Sequence, residues 1–318
     1  MQSAAGKTQK AEWHTAHVRI YSCFCLLPAI CLLFIVAGCG PKVRKEHRFY
    51  SGPTESMSEV VSRINANNER LATLYLNHSF AAELVERTKD GQTRRTPING
   101  SGVIMYQSPD NLYMNGRHPL GGRLFNLGCN AEDYWLAVDQ EKVDAVWYGK
   151  MEHLGKPCVA DIPLRPDLLM EVLGVFTIDP NLARFPAPIM KFNNDEDAYM
   201  FTWILPQADR FIAVKEVWYD RKTMQPRLVN LFNPEGRILL RAYLSAHRGV
   251  DIEGVAESQR PTVPGKYELL FMETRSRMTI EVDNAYLTYK GAPEARVFRM
   301  PSPDNYANQN QLDEACAD

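Results

Sequence analysis

The sequence predicts a mainly β protein, an antiparallel meander of about ten to twelve strands into which two helices are inserted. Three observations point there. Short segments with period-two alternation recur from Leu76 to Tyr289, each closed by a turn sequence. Only two stretches carry apolar residues at helical spacing. The chain holds 14 Tyr, 13 Phe and 5 Trp, residues that suit a pleated, half-buried surface.

The first helix opens at Ser56–Met57–Ser58–Glu59, a capping box in which the Ser56 hydroxyl and the Glu59 carboxylate satisfy free N–H groups. Met57, Val60, Val61, Ile64, Leu71 and Leu74 follow on one face, with Arg63, Asn65, Glu69 and Arg70 on a polar face. The second, Arg165–Gly174, has Pro166 in its first turn and Gly174 as its C-terminal cap, and it buries Leu168, Leu169, Val172 and Leu173.

Between and after them come the strands. His78–Val85 leads into Asp90–Gly91, a hairpin turn sequence. Gly102–Tyr106, Leu112–Asn115, Arg123–Leu127, Tyr134–Val138 and Ala145–Tyr148 succeed one another. Beyond the second helix come Ala198–Leu205 and Phe211–Tyr219, then Leu228–Phe232 and Arg237–Ser245 across Asn233–Pro234–Glu235–Gly236. Tyr267–Phe271, Met278–Val282 and Ala285–Tyr289 complete the set. Several strands are apolar on both faces: Val103 and Met105 alternate with Ile104 and Tyr106, and Phe201 and Trp203 alternate with Met200 and Ile204. A sheet of this size must curl, close or split, and the helices are the available cover for its second apolar face. The tail after Pro301 is polar and is expected to be disordered.

The N-terminal region carries an address. Lys7, Lys10 and Arg19 precede an apolar segment, Ile20–Val36, too short and interrupted to span a bilayer comfortably. It ends in Val36–Ala37–Gly38–Cys39, which looks like a bacterial lipobox. On that reading residues 1–38 are a signal peptide, Cys39 becomes a thioether to diacylglycerol and takes a further amide-linked acyl chain, and residues 39–55 are a tether. Several acyl chains are what stable anchoring needs. Gly40 is not Asp, which in the diderm lipoproteins this resembles permits transfer to the outer membrane. An uncleaved anchor is the alternative reading.

The 318 residues are 45% hydrophobic and 23% charged with a formal net charge of −2. No strongly basic face is implied, which argues against nucleic acid as a partner. Of seven cysteines, Cys23, Cys25 and Cys31 fall in the leader. An oxidising compartment lets Cys129 pair with Cys158; the alternative is two semi-buried thiols, with Cys316 in the polar tail. No C-x-x-C, H-E-x-x-H, G-x-S-x-G or phosphate-loop spacing occurs, so neither a metal nor a cofactor is expected and no catalytic residue is assigned. The acidic run Asn193–Asp197 is read as a solvated hairpin tip rather than a calcium loop.

Gly100–Pro109 followed by Leu112–Tyr113–Met114 resembles an early hairpin of the LolA/LolB-type superfamily of lipoprotein-localisation factors. Phe125–Gly128 with Tyr134–Trp135–Leu136 resembles its next pair, and Tyr219–Arg227 with Asn233–Arg237 resembles its late turns. The likeness spreads over about Val60 to Met300. It implies one domain over residues 56–300, an unclosed antiparallel β half-barrel covered by helices, with an apolar cavity that takes lipid or the acyl chains of lipoproteins. One branch of the family is an envelope stress sensor. The carrier type is soluble, and the receptor type is lipid-anchored with an exposed apolar loop tip; Cys39 places this chain nearer the receptor. Val103, Met105, Trp135, Trp147, Phe201, Trp203 and Trp218 are the candidates to line such a cavity, or else to fill a closed core. Three function classes follow: a lipid-anchored binder of lipid or acylated protein facing the periplasm, a sensor or protein-interaction module with a filled core, and an enzyme revealed only by a pocket with converging acid–base groups.

Overall fold

The computed structural model describes residues 50–87, 92–140, 143–156, 158–159, 164–287 and 295–316. The leader, Cys39 and the Asp90–Gly91 turn lie outside the described residues. The chain from Phe49 onward forms one compact unit.

Helix α1 is Met57–Asn68, and its capping box is present as the sequence predicts: Ser56 accepts from the Glu59 N–H while the Glu59 carboxylate accepts from the Ser56 N–H. It ends earlier than the apolar spacing suggested. Leu71 lies in a following single 3-10 turn, and Leu74 already belongs to β1 (Thr73–Arg87). Asn65, Asn67 and Asn68 are poor helix formers, and their side-chain amides are engaged with other segments' backbone.

From β1 the chain meanders through β2 (Thr93–Gln107), β3 (Asn111–Arg117), β4 (Arg123–Cys129), β5 (Asp133–Gln140) and β6 (Val143–Lys150). Helix α2 (Pro166–Val172) interrupts, with Pro166 in its first turn and Gly174 at φ +71° behind it. A Cβ on Gly174 would meet Pro226 at 2.8 Å, so both the backbone angle and the space require glycine. The meander resumes with β7 (Ala187–Asn193), β8 (Ala198–Gln207), β9 (Arg210–Asp220), β10 (Pro226–Phe232) and β11 (Ile238–Ser245). A two-stranded ribbon, β12 (Arg248–Gly249) with β13 (Thr262–Val263), precedes β14 (Lys266–Phe271), β15 (Ser276–Tyr286) and β16 (Asn308–Gln311).

Fourteen strands form one sheet in the order β16-β6-β5-β4-β3-β2-β1-β15-β14-β11-β10-β9-β8-β7. The two ends do not pair, so the sheet is unclosed, and every contact is antiparallel except β16 on β6. The mainly β, unclosed antiparallel architecture is thus the one the sequence led us to expect. Three differences have physical reasons. β7 escaped notice because its alternation, Ile189, Lys191, Asn193 against Met190, Phe192, is weakly amphipathic and opens on Pro186. Met278–Val282 and Ala285–Tyr286 are one strand, β15, because a bulge at Asn77/His78 absorbs the break. The tail beyond Pro301 is ordered, because β16 adds to the free edge of β6 and is fixed there covalently (below).

The two faces of the sheet differ. Ile104, Leu112, Met114, Tyr267, Leu269 and Ile280 point to the face on which α2 lays Leu169, Val172 and Leu173; this is the inner face. Their neighbours, Val103, Met105, Tyr113 and Asn115, point to the outer face. The main core lies on the inner face, continuous from Val60, Val61 and Ile64 of α1 to Phe201, Val217 and Tyr219 of β8 and β9. No helix of the described residues is long and apolar enough to cross a membrane.

Candidate functional site

Under α2 the inner face is filled. The space among Ile104, Leu112, Leu169 and Tyr267 amounts to about 10 Å³. Burial pushes the Tyr219 and Tyr267 phenols upward and the Tyr134 phenol up to about 12, as a dry interior does to a group that would have to ionise. Beside this packed zone the same layer opens into a cavity of about 1080 Å³. Its apolar wall is Trp147 of β6, Leu168 of α2, Phe176, Trp203 of β8, Leu231 of β10 and Phe271 of β14. The polar part of the lining includes Lys215 and Glu171, which form an ion pair at 2.7 Å. The Lys215 ammonium lies 3.8 Å from the centre of the Phe176 ring and 4.7 Å from that of Trp203. A cation is therefore held against two aromatic faces in a cavity whose lining is partly apolar and partly charged.

The cavity's cover is pinned by asparagines. Asn65 Nδ2 donates to the Ile178 carbonyl and Asn65 Oδ1 accepts from the Ile178 N–H, both at 2.8 Å. Asn68 Nδ2 donates to the Phe176 carbonyl at 2.7 Å. Asn67 pairs with Thr262 in the same double manner. These contacts fix the 176–178 segment, which carries Phe176 and Ile178 of the lining.

The seven candidate lining residues separate by face. Trp147 and Trp203 line the inner cavity. Phe201 points inward too, but it is fully buried and packs edge-on to Tyr219 within the core. The other four are corrections, because period two separates two sets of residues without saying which is inside. Val103 and Met105 line a different cavity, on the outer face. Trp135 packs against Gly128 on that outer face and donates from Nε1 to Asn126. Trp218 is also outward, donating to Glu216, which accepts from Asn230 as well.

The expected Cys129–Cys158 pairing is likewise corrected. Cys158 is bonded to Cys316, across 158 positions of sequence. β16 runs parallel to β6, so the chain beyond it passes alongside the loop that follows β6. Asp313, almost fully buried, accepts there from the Lys150 N–H and meets His153 Nδ1 at 2.8 Å. Cys129 is free and sealed in the core at the end of β4, and burial pushes its thiol up to about 12.

The sequence reading missed two exposed apolar features. Leu120, at the tip of the β3–β4 hairpin, is 92% exposed. Gly121 and Gly122, at φ +95° and +90°, let the loop close so tightly that the Leu120 N–H reaches His118 Nδ1. His118–Pro119–Leu120–Gly121–Gly122 carried that signal as a turn with an apolar apex. Phe185 and Phe211 stack on each other at 6.1 Å while remaining about half exposed or more; Phe185 precedes Pro186 of the cavity lining. The acidic run does form the β7–β8 hairpin tip, with Asn193 Oδ1 accepting from the Asp195 and Glu196 N–H groups and Asp197 paired with Arg221. Among the described residues no three His, Cys, Asp or Glu side chains converge as a metal site.

No family model matches the chain, and no curated protein matches it. Solved structures do. A LolA superfamily protein from Nitrosomonas europaea is similar at 11% identity and a TM-score of 0.44, over 78% of this chain and 99% of that one. A domain described as an outer-membrane lipoprotein-sorting protein, from Vibrio parahaemolyticus, is similar at 11% identity and 0.41, over 76% and 95%. A DUF1329 family protein from Desulfovibrio piger is similar at 9% identity and 0.48, over 77% and 97%. The resemblance anticipated from the residues is thus found among solved structures, at the level of the fold alone. At these identities and scores it carries no argument about function, which has to come from the cavity.

Proposed function

We propose that this chain is a lipid-anchored lipoprotein of the cell envelope, held through acyl groups on Cys39 and facing the periplasm, whose inner cavity takes an acyl chain of a lipid or of an acylated protein. The observation that supports this most is the cavity of about 1080 Å³ left open beside a core packed to within about 10 Å³. A concave space of that size, bounded in part by tryptophan, phenylalanine and leucine, suits a small-molecule site. Each buried methylene of a bound chain gains about 0.8 kcal/mol, enough over a long chain to exceed the cost of ordering it. The Lys215 ammonium, lying on Phe176 and Trp203, offers a cationic contact for the ligand's ester or carboxyl end. The exposed Leu120 tip is suited to enter an acyl layer. In this reading the protein holds or passes on its ligand without chemistry and needs no cofactor beyond its own covalent lipid.

The exposed Phe185–Phe211 stack favours a second reading, a sensor or interaction module that docks a protein at that lip. The discriminating experiment uses the chain from Gly40 onward, exported with a cleavable leader so that the disulfide forms. Native mass spectrometry and a fluorescent fatty-acyl probe then report on the cavity. Co-purified acyl mass or displaceable probe uptake is expected; a ligand-free protein that takes up no probe overturns the acyl-binding reading and leaves the protein-docking one. For the anchor, Cys39→Ser is expected to abolish metabolic acyl labelling.

A further inference from the structure

The outer face of the sheet carries a second cavity, of about 800 Å³, roofed by the ordered C-terminal segment from residue 296 to 301. That segment is fastened to the sheet by Phe298, which is 3% exposed and whose carbonyl accepts from Asn130 Nδ2, and further on by Tyr306 over Ala137 and Val146.

Four arginines line this space, Arg117 and Arg123 from the β3–β4 hairpin and Arg296 and Arg299 from the roof, against one carboxylate, Asp283. Arg117 and Arg123 are direct partners in the β3–β4 register. Like charges opposite each other on neighbouring strands repel, and an anion between them would relieve that repulsion. Elsewhere in the chain Arg221, Arg260 and Arg277 each reach a carboxylate. Arg117, Arg123 and Arg299 form no ion pair with a carboxylate of the described residues. On the floor, Tyr75, Met105 and Tyr113 give flat or apolar surface. His78 lines the same space, is 1% exposed, and neither ring nitrogen has a hydrogen-bond partner among the described residues.

We propose that this cavity is a binding site for a phosphate ester, its phosphate held between Arg117 and Arg123 on one side and the arginines of the C-terminal segment on the other, and its less polar part on the tyrosine and methionine floor. Guanidinium groups suit a phosphate because they present paired donors at its oxygen spacing, and here all four cations are arginine. The volume of this open cleft, about 800 Å³, lies within the range of small-molecule sites. The ester comes either from a phospholipid headgroup or from a soluble phosphate, and the two are separated by the probes.

The test is isothermal titration of the chain from Gly40 onward, the compact unit with its tether, using glycerol 3-phosphate, glycerophosphoglycerol and dihexanoyl phosphatidylglycerol in turn. Binding by at least one probe is expected, weakened at least tenfold in Arg117→Gln/Arg123→Gln and unchanged in Arg70→Gln. Binding of glycerol 3-phosphate marks a soluble ester as the source; binding of glycerophosphoglycerol or of the lipid, without glycerol 3-phosphate, marks a headgroup. Removing the facing like charges is expected to raise the melting temperature of the ligand-free protein while weakening binding, a signature that a merely structural pair of arginines does not give. Arg299→Gln, on the opposite wall, serves should the double variant not fold. No binding by any probe at millimolar concentration, or equal affinity in the arginine variants, overturns the proposal.

Discussion

Asn65 and Ile178 are joined as a backbone pair would be, side-chain amide to main-chain peptide, with both hydrogen bonds at 2.8 Å and both residues buried. The pairing ties helix α1 to the extended segment that lines the inner cavity. It also explains why an asparagine stands one position after Ile64 of the helix's apolar face: Asn65 is 6% exposed, a core residue rather than part of a solvated face.

Asn65→Ala removes both bonds and leaves the Ile178 N–H and C=O buried without partners. The expected cost is about 2–4 kcal/mol of unfolding free energy, read as a lower denaturant midpoint at unchanged slope. Asn67→Ala, whose bonds to Thr262 are only partly buried, is expected to cost less.

The Cys158–Cys316 bond closes a loop of 158 positions and locks the C-terminal strand to the sheet edge. Its removal by Cys316→Ser is expected to lower stability by about 3–5 kcal/mol in the chain-entropy picture and to make the segment after residue 300 the first site of proteolysis. Iodoacetamide is expected to leave Cys129 unmodified in the native protein and to label it only on unfolding, since its thiol is buried and its pKa raised to about 12. Peptide mapping distinguishes the two.

Burial holds the His78 imidazole neutral, lowering its pKa from 6.5 to about 4. The unfolded chain takes up a proton below 6.5 that the folded protein refuses. Stability is therefore full above pH 6.5 and falls as the pH drops through the window down to about 4, by about 3 kcal/mol in all. His247, also lowered by burial, adds in the same direction. His78→Leu is expected to flatten most of that decline in a series of denaturant titrations from pH 7 to 4.

Asp313 titrates in a lower window. Burial alone would raise its pKa, but hydrogen bonds from the Lys150 N–H, His153 and Gln311 outweigh it and hold the carboxyl below the usual range. The folded value being depressed, its contribution is complete above the unfolded value and is lost as the pH falls below it. Acid-induced hydrogen exchange is expected to reach β16 earlier in Asp313→Asn than in the wild type.

Filling the inner cavity separates acyl binding from folding. Val214→Trp is expected to reduce fatty-acyl probe affinity at least tenfold with a small change in melting temperature, because the new ring occupies open space. Leu120→Asp, on an exposed tip, is expected to leave probe affinity and stability unchanged and to weaken association with lipid vesicles.

Local rules written in the sequence determined much of this protein. Ser56 and Glu59 capped the first helix, Pro166 and Gly174 bounded the second, Asn233–Gly236 turned β10 into β11, and alternation placed twelve of the sixteen strands of the described residues, all but β7, β12, β13 and β16, because capping, turn geometry and side-chain period depend on a few neighbouring residues. The lipobox reading of Cys39 rests on that same local kind of signal. Tertiary structure alone decided the rest. Period two divides Val103 from Ile104 and Trp218 from Val217 but leaves open which set faces the helices, and that depends on where α2 lands. The partner of Cys158 depends on β16 joining β6 in parallel, a contact between residues more than 150 positions apart. Both cavities, and the facing of Arg117 and Arg123 with Arg299, exist only where distant strands and the C-terminal segment meet, so no stretch of sequence could display them.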